Sequence, residues 1–323
     1  MSSLRFQTLR FLFVGIFLFH LLTPAYGAFP DLGAGARPMG MGGAYIGLAN
    51  DANAPVWNLA GLTQLTQSEL MATFVSLYTG LNAQLFNGEI DQLGYHFVSY
   101  VQPIGASSDE NTALAHSKDV IAASGLFFDS ALYDEQTYIL SYAKRLTPQI
   151  SGGIGAKILR VGVVDNEYTR VHQLLSNASL ARTSTTVDFG LQYALSDKVQ
   201  FGVIGESLLP ANTGILQTED LPIKWGIGVA HRSGNSSQLL DLVLRDRRVN
   251  GKRDINVRMG AEHWLFQRQV GVRIGYNVRN VTLGASYRYG SRMQAQLDYA
   301  FIFPIGSIVD TLGSHRVGLA VRF

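Results

Sequence analysis

Arg258, Glu262, Arg273, Arg288, Asp298, Arg316 and Arg322 fall on one parity of five segments, near the chain end, that alternate bulky apolar residues with small or charged ones. Opposite signs interspersed in this way suit one of two tasks. They can fill an enclosed space with ion pairs, or they can line a polar strip along a ligand path. A strongly ion-selective pore is not expected, because selectivity of that kind uses rings of one sign. Catalysis finds little support. The chain has no Cys, which removes disulfides, thiolate metal sites and cysteine nucleophiles. It has neither His-Glu-x-x-His for a metal nor a Gly-x-Ser-x-Gly elbow. Ser314 beside His315 is the nearest approach to a hydrolase pair, and such triads are recognised by geometry rather than spacing. Gly33-x-Gly35 has no strand before it and no third glycine in register, so no dinucleotide cofactor is expected. The expectation is a non-enzyme without metal or cofactor. A net charge of +2 leaves no footprint for nucleic acid.

The segments that must position these ions dominate the chain. Val317, Leu319, Val321 and Phe323 alternate with Arg316, Gly318, Ala320 and Arg322. Ile223, Trp225, Ile227 and Val229 alternate with Lys224, Gly226, Gly228 and Ala230, and the strip continues to Arg232. Period two reads as strands. A soluble sandwich would turn the apolar face to a core; an outer-membrane barrel would turn it to lipid. Three features favour the barrel. The polar face is rich in Gly and Ala, as a crowded lumen requires. Aromatics gather near strand ends, as at Tyr287/Tyr289, Tyr299/Phe301/Phe303, Trp225 and Trp264. The chain also ends on an alternating strand whose last residue, Phe323, resembles the signal read by the outer-membrane assembly machinery. A Lys or Arg on the lipid face costs about 2–4 kcal/mol at the midplane, so the charged face must turn inward.

Composition agrees: 15% charged residues, 47% hydrophobic and 34 Gly in 323 residues exclude a disordered chain. The sequence opens with Arg5 and Arg10, then an apolar run from Phe11 to Leu22, Pro24, and Ala25-Tyr26-Gly27. This reads as a signal peptide, 1–27, cleaved after Gly27; the run is too short for a spanning helix, which needs about twenty residues. Residues 28–67 form a small-residue segment with one short helix expected over Arg37–Ala49, too short to bury a core alone and therefore packed in or under the barrel. Residues 68–323 hold the barrel. Strands of about ten residues with connections of about eight give roughly fourteen. They are expected near 68–78, 92–102, 119–129, 136–146, 150–161, 183–194, 199–206, 221–232, 237–246, 253–263, 267–277, 281–289, 294–303 and 314–323. An even number puts both barrel ends on the periplasmic side. The stretch 103–118 is then unusually long for that side. The apolar outer connections, 208–216 and 303–309, are expected either to cap the barrel as a greasy way in or to extend strands.

Several motifs resemble those of FadL-like outer-membrane proteins, nearest the PorV/PorQ branch. At the N-terminus they are Gly35-Ala36-Arg37, Met41-Gly42-Gly43-Ala44, Asn50-Asp51-Ala52 and Trp57-Asn58-Leu59-Ala60-Gly61-Leu62. Toward the C-terminus, Gly260-Ala261-Glu262-His263-Trp264, Val272-Arg273-Ile274-Gly275-Tyr276, Leu297-Asp298-Tyr299-Ala300-Phe301 and Ser314-His315-Arg316-Val317 follow in that family's order. Leu59 stands where the family usually has proline. The resemblance implies a fourteen-stranded transmembrane barrel closed by an N-terminal plug, with Gly42, Gly43, Asp51, Asn58, Ala60 and Gly61 as the plug motif. For FadL-like members it implies passage of small hydrophobic molecules across the outer membrane, leaving sideways through the wall. For the PorV branch it implies an accessory or shuttle protein of type IX secretion that binds secreted cargo. The expected surroundings are outer-membrane lipid and the assembly machinery, together with a hydrophobic small molecule or a secreted protein.

Overall fold

The computed structural model describes residues 32–80, 93–104, 119–131, 133–166, 169–170, 181–215, 217–246, 253–290, 293–305 and 311–323. The expected leader, 1–27, lies outside them, as do 105–118 of the long stretch noted above. Fourteen antiparallel strands form one closed barrel. They are β1 (Glu69–Ser76), β2 (Gly94–Pro103), β3 (Asp119–Asp129), β4 (Tyr133–Arg145), β5 (Ile150–Val163), β6 (Ala181–Ala194) and β7 (Val199–Glu206). Then come β8 (Ile223–Ser233), β9 (Ser236–Asp246), β10 (Arg253–Leu265), β11 (Val270–Asn277), β12 (Asn280–Tyr289), β13 (Gln294–Pro304) and β14 (Ser314–Arg322). Each strand pairs with its sequence neighbours, and β1 closes on β14 from Glu69↔Arg322 to Ser76↔His315. Closure leaves no free sheet edge, the condition for strands to lie in hydrocarbon.

Most strand ends fall within a few residues of the periodicity. Two starts shift by three residues: β4 begins at Tyr133 rather than 136, and β11 at Val270 rather than 267. Phe266, Gln267 and Arg268 all hold positive φ (49°, 54° and 68°) and make a turn there.

The two faces differ as the alternation demands. Phe74 (63% exposed), Leu140 (67%) and Ile154 (63%) stand outward, as do Ile274, Leu283 and Leu319. Such a continuous apolar exterior far exceeds what a water-soluble monomer exposes, and it matches a lipid-facing band. Inward positions carry glycine, alanine and ions. Trp264 departs from the expected girdle: it is buried on the inner face of β10, with the Arg288 guanidinium 4.2 Å from its ring centroid. Trp225, Tyr287, Tyr289, Tyr299 and Phe303 do stand outward.

Inside the barrel lies the segment from Leu32 to Gln67. It contains α1 (Ala36–Gly40), α2 (Ala54–Trp57) and a 3-10 helix, Leu59–Gln64. The single helix expected over Arg37–Ala49 is therefore replaced by shorter pieces. Gly42 and Gly43 hold φ of +68° and +75°, outside helical geometry, and end α1. The segment's side chains supply much of the buried core, with Met41, Tyr45, Ile46, Leu48 and Leu62 nearly or wholly inaccessible.

Candidate functional site

The plug is fastened to the wall at points that only particular residues allow. Gly42 lies against β10 and β11; a Cβ there would sit 2.6 Å from the Tyr276 backbone nitrogen. Its amide donates to Thr282 Oγ1 (2.9 Å), and Asn277 Nδ2 donates to its carbonyl (3.0 Å). Gly43 packs beside the Trp57 ring. Gly61 passes so close to Ala49 that a Cβ would meet its carbonyl oxygen at 2.0 Å. Asn58 caps the 3-10 helix, its Oδ1 accepting from the Ala60 amide (3.1 Å). Its Nδ2 donates to the carbonyls of Ile46 and, on β6, Leu191. That cap starts the turn without the proline that Leu59 replaces. Ala60 is fully buried.

A chain of ion pairs links plug and wall. Arg37 donates to Asp51 (2.8 Å) and, through Nε and Nη2, to both carboxylate oxygens of Glu262 (2.9 and 2.8 Å). Glu262 also accepts from Arg273 Nε (2.7 Å), and Arg273 Nη1 lies 3.4 Å from Asp298. Asp298 in turn accepts from Ser286 and Gln296. Burial opposes the charges of Arg37 and Asp51, but the field and hydrogen bonds of Glu262 outweigh it for Arg37, and those of Arg37 outweigh it for Asp51. Arg37 is held well above the ordinary guanidinium range and Asp51 below the ordinary carboxylate range. Burial pushes the neighbouring Tyr45 hydroxyl well up, so it serves Arg37 as a neutral acceptor.

The remaining residues singled out by the sequence lie elsewhere in the lumen. Arg258 sits over the Trp57 ring and donates to the Gly43 carbonyl. Arg316 donates to the carbonyls of Gly33 (2.7 Å) and Leu32 (2.6 Å). Arg322 pairs with Glu69 (2.9 Å), and Arg288 bonds Gln296. Phe323 is exposed and exchanges backbone hydrogen bonds with Ser68. Ser314 and His315 separate: the serine is buried and accepts from the Tyr78 amide, while the His315 ring bonds Tyr299 on the exterior. They form no hydrolase pair.

Two features escaped the sequence reading. Asp241 on β9 accepts from the amides of Tyr45 (2.6 Å) and Ile46 (2.8 Å), clamping the middle of the plug. Its signal was there: a lone acid between Leu240 and Leu242, on the inward parity. The second feature is a cavity of about 130 Å³ between the plug and the rim that carries the longer connections. Leu126, Phe128, Ile139 and Leu159 give it an apolar wall, and Leu32 and Val56 of the plug form part of its boundary. Facing them, Lys157 bridges Asp188 and Glu206, and Lys224 pairs with Glu206 (2.8 Å). The connection after β7 closes one side. Ser207 turns inward at φ +56°, and Ala211 and Leu221 pack against Leu159. This connection therefore caps the lumen. At 303–305 the other outer connection extends β13 instead; its 306–310 lie outside the described residues.

Strand pairing is shortest beside that cap. β6 and β7 share only the pairs from Phe189↔Gly205 to Ala194↔Gln200, because β7 stops at Glu206 while β6 runs on to Ala181.

Solved structures with a similar fold, a barrel of this kind, are found among FadL-type proteins and hydrocarbon channels. A FadL homologue from Pseudomonas aeruginosa is similar over 90% of this chain and 98% of its own, at 12% identity and a TM-score of 0.60. The toluene transporter TodX of P. putida is similar over 90% and 96% of the two chains, also at 12% identity and 0.60. The monoaromatic hydrocarbon channel CymD is similar over 91% and 98%, at 13% identity and 0.59. At such identities the likeness is one of fold. No protein-family model matches the sequence, and no curated protein is similar to it.

Proposed function

We propose that this chain is an outer-membrane barrel that carries small hydrophobic molecules into the periplasm. In this reading the leader, 1–27, directs export and is removed, Phe323 is read by the assembly machinery, and lipid surrounds the apolar exterior. In the same reading the rim bearing Phe323 and the tight turns faces the periplasm, and the rim with the capping connection faces outward.

The observation that carries the reading is the two-walled cavity above the plug. Its volume of about 130 Å³ is that of a space for one small molecule; an apolar protein cavity of about 150 Å³ binds benzene. Leu126, Phe128 and Leu159 supply the dispersion contacts that such a solute needs. The plug beneath it runs into β1 at Glu69 and is otherwise held by ion pairs and backbone clamps, so solute passage requires local rearrangement and not barrel opening. The roles of the similar structures, a toluene transporter and a monoaromatic hydrocarbon channel, point the same way. None of these neighbours supports a secretion-accessory role of the PorV/PorQ kind.

Uptake of radiolabelled toluene and related single-ring compounds by cells with and without the gene tests the proposal. Slower uptake in the deletion strain, restored by the wild-type gene, is expected. Equal uptake across a broad panel of hydrophobic solutes contradicts it.

A further inference from the structure

The cavity above the plug has one wall that a plain hydrocarbon does not satisfy. Its two walls adjoin on β5. Ile139 lies directly opposite Lys157 in the β4–β5 register, and Leu159 follows Lys157 on the same face. Leu159 packs in turn on Ala211 and Leu221 of the cap. From Lys157 the charged wall continues toward β7 and β8. The Lys157 ammonium bonds Asp188 and lies 3.7 Å from Glu206 Oε2. Lys224, opposite Glu206 in the β7–β8 register, reaches the same oxygen at 2.8 Å. Leu159, Leu221 and Glu206 all border the one space of about 130 Å³. A single ring fills a space of that order, so a ring resting on the leucines has the carboxylate at its edge.

Glu206 is only half used by its partners. Both lysines approach Oε2, whereas Oε1 accepts no hydrogen bond among the described residues. The side chains of Lys157, Glu206 and Lys224 are only 10%, 13% and 13% exposed. A hydrocarbon pressed over Oε1 takes water from it and returns nothing, and an unmatched buried acceptor is costly, the more so when charged. A solute with an O–H group donates to it instead. Charge then decides between a neutral and an anionic solute. Lys157, Lys224 and Arg245 are balanced by Glu135, Glu206 and, beside the lining, Asp188. A carboxylate solute would bring a further negative charge against Glu206 with no matching cation on that wall, and an unmatched charge out of water is strongly disfavoured. A neutral hydroxyl brings none.

We propose that the cavity selects a neutral single-ring solute bearing one hydroxyl group, a phenol, with its ring on Leu159 and Leu221 and its O–H donated to Glu206 Oε1. The proposal rests on the cavity being where the transported solute sits, and adds that the polar wall chooses among solutes of one size. Hydrogen bonds to an ionised acceptor are about twice as strong as neutral ones, and Lys224 holds the Glu206 carboxylate in place for that contact. The apolar wall supplies the same dispersion contacts to toluene and to a phenol, so the difference between the two falls on Glu206.

The matched pair para-fluorophenol and para-fluorotoluene tests this by fluorine NMR titration of the full-length protein in neutral detergent, with protein-free micelles as the blank. Saturable binding of both to wild type is expected, the phenol binding about tenfold or more tightly, the gain of a hydrogen bond to a charged group. In Glu206→Gln that preference should shrink several-fold. In the double variant Glu206→Leu, Lys224→Met, which removes both charges of the pair, it should vanish. Arg253→Gln, an exposed side chain outside the cavity, should keep it. Heat-modifiable migration on gels identifies the variants that remain folded. para-Fluorobenzoate should bind wild type more weakly than the phenol. Equal affinity of wild type for the phenol and the toluene, an undiminished preference in both Glu206 variants, or tightest binding of the benzoate overturns the proposal while leaving hydrocarbon passage standing. Saturable binding of neither the phenol nor the toluene contradicts the cavity as the solute's seat, and overturns both.

Discussion

Arg37 and Glu262 meet through two parallel hydrogen bonds of 2.9 and 2.8 Å, joining α1 of the plug to β10 of the wall across 225 positions of sequence. Both side chains are nearly inaccessible. Removing one partner from such a pair leaves a buried uncompensated charge, which costs about 3–5 kcal/mol. Arg37→Met strands Asp51 and leaves Glu262 with Arg273 alone, so the plug is expected to loosen while the barrel persists. Single-channel recording in planar bilayers should show larger or more frequent openings than wild type, with heat-modifiability on gels unchanged.

The backbone clamps make a second, independent prediction. Gly42 combines φ +68° with a Cβ direction blocked by the Tyr276 backbone. Gly42→Ala is strained by both, and a substitution at an incompatible φ costs more than about 1 kcal/mol. Thermal unfolding followed by near-ultraviolet circular dichroism should fall. Gly234→Ala, whose Cβ would meet nothing within 4 Å, should lose only the cost of its own positive φ.

Asp51 gives the plug an acid-sensitive anchor. Burial raises its pKa, but Arg37 and the surrounding hydrogen bonds overcome that and leave it below the ordinary value of 3.8. Its folded-state value is thus lower than its unfolded one. The resulting stabilisation is complete above the ordinary value and is lost as the pH falls below 3.8 toward the folded-state value. Limited proteolysis of the plug, followed across that range, should show release on acidification. Asp51→Asn should show a loosened plug already at neutral pH and a weaker acid step.

Filling the cavity should slow passage without unseating the plug. Leu159→Trp places a larger ring among Ala211, Leu221 and the solute space. Uptake of single-ring hydrocarbons is expected to drop several-fold, with bilayer conductance unchanged. Unaltered uptake would remove the cavity from the path.

Much of the barrel was readable in the chain because each strand separates two media. Alternation along 119–129 and 199–206 reproduces the ends of β3 and β7. The plug was less readable because its conformation is decided by contacts with distant strands. Arg37–Ala49 has small residues compatible with a helix, yet the positive φ at Gly42 and Gly43 and the Asp241 clamp impose a turn. Trp264 was misplaced for a different reason. An aromatic near a strand end suits a lipid interface, yet Trp264 shares the inward parity of Arg258 and Glu262, and the structure buries it under Arg288. The cavity could not be read at all, since it depends on Leu126 and Leu159 facing one side of the lumen while Lys224 faces them from another.

That hydrocarbon covers the apolar exterior is the claim on which the functional account stands, and the three tryptophans test it. Trp225 points outward, whereas Trp57 and Trp264 are buried within the barrel. In vesicles containing brominated lipid, a variant retaining only Trp225 (Trp57→Phe, Trp264→Phe) should be strongly quenched. One retaining only Trp264 (Trp57→Phe, Trp225→Phe) should fluoresce nearly as it does in unbrominated lipid. Equal quenching of the two, or none for Trp225, contradicts the lipid-facing assignment.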